Sequence, residues 1–213
     1  MKGRVACAST VFVVLAALAG CSGANYNVVA PALPPSPAAS QTPGVPASPA
    51  PQACGAAVAG SVLIAIGSYI EPQIPPDTTY GTVSGYALTD AAGNYPLAAR
   101  PIVLKPNDVV QFVNVDPALA GGAAGTPHSA AGLQATFFPV SHTFTTSASV
   151  PTGTTIDNSS AWSTGEIPAL ASSLCYSQRL QLPASGAFYF GDVRFYTPSN
   201  MRDVIVISPT AAS

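Results

Sequence analysis

From about residue 53 to residue 209 the chain is written as short β-branched runs cut apart by turn residues, and this pattern leaves little room for helices. Ser61 to Ile66 is apolar and partly β-branched. Tyr80 to Leu88 follows, between Pro75-Pro76-Asp77 and Asp90-Ala91-Ala92-Gly93-Asn94. Pro101 to Lys105 then meets Pro106-Asn107-Asp108 and continues as Val109 to Val115. Proline presets φ in such a turn and Asn or Asp closes it, so these two runs form a hairpin or a tight corner. Leu180 and Leu182 flank Gln181 in a half-buried strand. Pro183 to Gly186 turns the chain into Ala187 to Phe190, and Asp203 to Ser208 closes the series. Ile167 to Tyr176 has room for a helical turn or two. The pattern predicts an all-β, Greek-key β-sandwich of about seven or eight strands.

The preceding residues have another character. Lys2 and Arg4 give a positive start, and Ala6 to Leu18 is an apolar or small-residue run too short to span a bilayer comfortably. Leu18-Ala19-Gly20-Cys21 resembles a bacterial lipobox, whose small residues fit the peptidase cleft and whose cysteine thiol takes the lipid. The expectation is a lipoprotein signal peptide over 1–20, lipidation of Cys21, and export to a bacterial membrane on its periplasmic or cell-surface side. Residues 21–52 are rich in Pro, Ala and Ser and carry no charge. Such a composition cannot bury enough apolar surface to offset its ordering entropy. It reads as a disordered tether, with an extended reach of about 90 Å, ahead of a single β-sandwich domain over 53–209.

With Lys2 and Arg4 removed, five basic residues stand against nine acidic ones and no basic patch exists. Nucleic acid is therefore excluded as a partner. The expected partners are a membrane, through the lipid, and a protein or small molecule that the sequence does not name. Of four cysteines, Cys7 leaves with the signal and Cys21 is acylated, so Cys54 and Cys175 remain. In an oxidising compartment two such cysteines pair more often than not, the alternative being two free buried thiols. Closing a loop of about 120 residues contributes roughly 4–5 kcal/mol in the chain-entropy account.

The run Ile102-Val103-Leu104-Lys105-Pro106-Asn107-Asp108-Val109-Val110-Gln111-Phe112-Val113-Asn114-Val115-Asp116 resembles the cupredoxin pattern I-x-V-x-x-G-D-x-V-x-F-x-N-x-D. Pro127-His128-Ser129 follows where plastocyanin-like cupredoxins place their first copper histidine, and Met201 stands before the last strand like their axial methionine. The resemblance spans about residues 60 to 208 and implies the cupredoxin fold. It also implies a ligand set that this chain lacks. A blue copper centre needs a thiolate and two imidazoles, with a long axial Met. Counting back from Met201 with the longest family spacing, Gly191 falls at the Cys position and Tyr196 at the second His position. After Cys175 the sequence has neither Cys nor His. The expectation is no cofactor; the alternative is copper, held at an atypical site by His128, His142 and Met201, or by a reduced Cys175.

Other chemistry has less support. No Gly-x-Ser-x-Gly elbow, phosphate loop or zinc spacing is present. A Ser–His–Asp set would have to be drawn from His128 or His142 with Asp116, Asp157 or Asp192, which no spacing links. The chain is therefore not expected to be an enzyme but a binding or structural module, with the loops around His128 and Tyr196 as its contact surface. Trp162 reads either as a core aromatic or as an exposed contact residue, and the same two readings apply to Phe137-Phe138 and Phe195-Tyr196.

Overall fold

A computed structural model describes residues 54–117, 125–169 and 173–211, all within one compact unit. Cys21 and the expected signal peptide and tether lie outside the described residues.

Among the described residues, nine strands and one short helix are formed. They are β1 (Val62–Ile66), β2 (Tyr86–Thr89), β3 (Ile102–Leu104), β4 (Val109–Asn114), β5 (Ala131–Gly132), β6 (Cys175–Tyr176), β7 (Leu180–Gln181), β8 (Gly186–Gly191), α1 (Tyr196–Ser199) and β9 (Arg202–Ile207). One sheet runs β2-β1-β4-β6, with β7 also paired to β4; the other runs β3-β9-β8-β5. Both are mixed, because β1 lies parallel to β4 and β3 parallel to β9. This is the expected all-β sandwich. The strands beyond the expected number come from two-residue pairings.

The Pro106-Asn107-Asp108 turn is a corner, and a hairpin is not formed. It carries the chain from β3 in one sheet to β4 in the other. Asn107 takes a left-handed φ of 62°, which Asn tolerates better than most residues. Asp108 closes the corner by accepting the Lys105 amide at 2.9 Å. The helical turn allowed for Ile167 to Tyr176 is absent among the described residues there. Ile167 instead bridges to His128, and Cys175 and Tyr176 pair with β4.

The main core lies between the sheets. Tyr86, Phe112, Trp162 and Phe190 form its aromatic centre, with ring centroids 4.8 Å apart for Tyr86–Phe190 and 5.6 Å for Phe112–Phe190. Tilted and edge-on contacts at these distances suit the ring quadrupoles. Trp162 is therefore a core residue, 1% exposed. A second cluster packs Tyr189, Tyr196 and Val204 under the loops that bear Val83, Leu133, Phe138 and Phe144.

Cys54 and Cys175 form a disulfide. It fastens the start of the domain to β6, where Gly55 also pairs with Tyr176. Gln111 of β4 completes the attachment: its side chain accepts from Val58 N at 2.7 Å and donates to the carbonyls of Ala56 and Ser177. Among the described residues no helix is long and apolar enough to cross a membrane.

Candidate functional site

At one end of the sandwich His128 lies between two carboxylates. Asp116 follows β4, where its amide donates to the Asn114 side chain at 3.0 Å. Asp192 follows β8, where its Oδ1 accepts the amides of Arg194 and Phe195 at 2.8 and 3.0 Å and starts the turn into α1. His128 is held at its backbone by Ile167, with bonds in both directions. Its Nε2 lies 2.9 Å from Asp116 Oδ2 and its Nδ1 lies 3.0 Å from Asp192 Oδ2. Ser68, just beyond β1, donates its amide and hydroxyl to Asp116 at 2.7 and 2.8 Å. The Ser129 amide donates to Asp192 Oδ2 at 2.9 Å. His128 and Asp192 are each 1% exposed.

Two acceptors facing the two ring nitrogens require two N–H donors, and only the imidazolium supplies both. Burial alone would push the His128 pKa down. The hydrogen bonds and charges of Asp116 and Asp192 outweigh burial and hold it up at about 9. Burial likewise raises Asp116, but its hydrogen bonds from His128 and Ser68, with the His128 charge, bring it below the usual carboxylate range. The two titrations act together. His128, raised when folded, contributes stability that is complete below about pH 6.5 and lost as pH rises through about 9. Asp116, lowered when folded, contributes stability present above its ordinary value of 3.8 and lost on acidification.

Of the sequence candidates, His128 and Met201 are brought together. Both line a cavity of about 250 Å³ with Ser68, Ser84, Thr126 and Phe195. Met201 is buried in the main core. His142 packs elsewhere, against Phe144 at 4.6 Å and Tyr196 at 6.2 Å between ring centroids. Cys175 is tied up in the disulfide and offers no thiolate.

The family count puts Gly191 at the thiolate position, but the residue that reaches His128 is Asp192, one further along. Gly191 has no space for a side chain: a β-carbon there would sit 2.5 Å from the Tyr196 ring and 2.9 Å from the Met201 carbonyl oxygen. Gly191→Ala is expected to lower the unfolding free energy by about 1–3 kcal/mol in a urea titration, the usual cost of overpacking. The expected contact surface is the loops around His128 and Tyr196. His128 and Tyr196 are both buried, and Tyr196 donates its hydroxyl to the Pro139 carbonyl at 2.7 Å. Thr197 to Asn200, directly after Tyr196, are exposed, as are Tyr69 beside Ser68 and Phe137 and Val140 beside Pro139; Phe138 packs on Tyr189.

The sequence reading missed Asp203. It shares the inner face of β9 with Met201 and Ile205, and burial raises its pKa well above the usual carboxylate range. Its Oδ1 accepts the Val204 amide, while its Oδ2 meets no partner among the described residues. No alternation marked Asp203, because Val204 to Ile207 is an unbroken apolar run that distinguishes no inner face. Tyr86, whose hydroxyl donates to the Ser129 carbonyl at 2.7 Å, is raised chiefly by burial and further by the charges of Asp192 and Asp203.

The arrangement has chemical consequences. A general base needs a ring nitrogen with a free lone pair aimed at a hydroxyl. His128 has neither nitrogen free, so the acids that join it do not make a nucleophilic triad. A copper ligand needs the same lone pair, and the thiolate is absent as well. These residues do not fit a blue copper centre. Fold and site together give a two-sheet β-sandwich at one end of which a buried histidine is gripped by two acids.

No protein-family model matches the chain, and no curated protein does. Among solved structures it is similar to reduced auracyanin from the photosynthetic bacterium Roseiflexus castenholzii, with 10% identity and a TM-score of 0.38 over 73% of this chain and 100% of that one. It is also similar to auracyanin B, with 12% identity and a TM-score of 0.39 over 75% and 97%. A multicopper oxidase gives 17% identity and a TM-score of 0.28 over 72% of this chain and 46% of its own.

Proposed function

We propose that this chain is an exported lipoprotein, anchored to a bacterial membrane through Cys21, that presents a non-catalytic binding or structural domain without a copper centre. The observation that carries the copper-free reading is the double engagement of His128, whose two ring nitrogens both face carboxylates at hydrogen-bonding distance. The lipobox-like Leu18 to Cys21 and the uncharged proline-rich segment after it support the anchoring. A diffusing domain has no need of such a spacer. The partner is a protein or small molecule met at the domain surface, and the lipid is the contact with the membrane.

Two measurements test this reading. Expressed in a lipoprotein-processing bacterium, the chain should partition into detergent and Cys21→Ser should move it to the aqueous phase; equal partition of both would contradict the anchor. Incubated with Cu(I) or Cu(II) and then desalted, the protein should retain no stoichiometric metal and show no intense visible absorption. One retained copper that is lost in His128→Ala would instead establish an atypical site around His128 and Met201.

A further inference from the structure

We propose that the proton on His128 is the structural cation of this domain: the imidazolium fastens the ends of β1, β4 and β8, drawn from both sheets, and the end of the sandwich opens when that proton leaves. The inference rests on the copper-free reading of the site and extends it from an absence to a device.

The geometry carries it. Asp116 extends from β4 in the first sheet and Asp192 from β8 in the second, and His128 is bonded to both. Asp116 draws in Ser68 beyond β1, and Asp192 draws in Ser129, Arg194 and Phe195. One charged ring thus links three connections, those that follow β1, β4 and β8. Without its proton, one ring nitrogen would present a lone pair to a carboxylate about 3 Å away, in a site with little water to screen them. The cavity of about 250 Å³ that adjoins His128 and Ser68 gives solvent a route in.

The charged and titratable groups around the ring are few. Asp116 and Asp192 face it directly; Phe195 covers it with a ring centroid 5.2 Å away, and Met201 and Ser68 are uncharged. Tyr95 feels Asp116, and Tyr86 feels Asp192 and Asp203; burial raises both tyrosines, so they stay neutral while His128 titrates. Glu166 and Arg194 pair with each other, Arg194 at the exposed side. Asp203, buried and also raised, lowers stability as pH rises too, and the raised tyrosines do so only as pH approaches 10. A variant of His128 alone separates its share from theirs.

The test is urea unfolding of the full chain between pH 6 and 10, followed by the emission of Trp162, its only tryptophan. A histidine moved from 6.5 to about 9 should make the folding constant of the wild type fall up to about 300-fold more than that of His128→Gln over this range. Parallel pH profiles for the two proteins would overturn the proposal. If His128→Gln does not fold, Asp203→Asn carries the test: a steep fall above pH 6.5 that persists in this variant supports the clamp, and a flat profile overturns it. Stoichiometric copper would instead remove the copper-free reading on which the inference stands.

Discussion

Replacing Asp192 with alanine is expected to lower the unfolding free energy at neutral pH by about 3–5 kcal/mol, the usual cost of removing one partner of a buried ion pair. The magnitude follows from what the side chain holds. Its Oδ2 takes His128 Nδ1 and the Ser129 amide, and its Oδ1 takes the amides of Arg194 and Phe195. Alanine leaves four donors short of an acceptor at once, in a part of the molecule where replacement by water requires the loops to move. It also leaves the imidazolium with one acid instead of two, so the His128 pKa should fall with it. Asp192→Asn should lose less, because an amide oxygen still accepts. A urea series on the two variants, with the His128 ring signals followed by NMR, reads both effects.

The second large effect belongs to Trp162. Its ring is stacked near Phe112 at 6.2 Å and tilted against Phe190 at 6.0 Å between centroids, and the backbone of Gly132 lies directly against its indole nitrogen. Trp162→Ala empties the centre of the main core, and neighbours fixed in two sheets cannot collapse into the space. The expected loss is about 3–5 kcal/mol, read as a lower midpoint in thermal unfolding followed by far-UV circular dichroism. A loss below about 1 kcal/mol would mean that the indole behaves as a surface group.

The same residues show what the sequence could and could not say. The corner at Pro106 to Asp108 was legible, because a turn is set by the residues that make it: a fixed φ, an Asn that accepts the left-handed region, and an Asp that closes it. Which of the two forms it took, hairpin or corner, depended on the partners of β3 and β4, and those lie far along the chain. Strands β5 and β6 left no pattern, since two residues cannot display an alternation, whereas β7 was announced by Leu180 and Leu182 on either side of Gln181. The disulfide was legible because elimination left two cysteines, and their pairing needed no geometry. Trp162 carried two readings until packing chose one.

The site was half legible. His128 stood out, and Asp116 and Asp192 were both among the acids that could serve it. Their separations from His128, 12 and 64 residues, encode no local geometry. Counting along the strand gave Gly191, and the side chain that matters is Asp192. The buried acid Asp203 shows the other limit. It opens an unbroken apolar run from Val204 to Ile207, and only its depth in the core marks it as unusual.

The central claim is that His128 is a doubly hydrogen-bonded imidazolium and not a metal ligand. The most direct measurement is the nitrogen-15 spectrum of its ring at pH 7, recorded before and after one equivalent of Cu(I) under anaerobic conditions. The predicted result is two protonated ring nitrogens whose signals do not change when copper is added. A ring with one bare nitrogen, or one that gives up a proton as a single copper ion is bound, would contradict it.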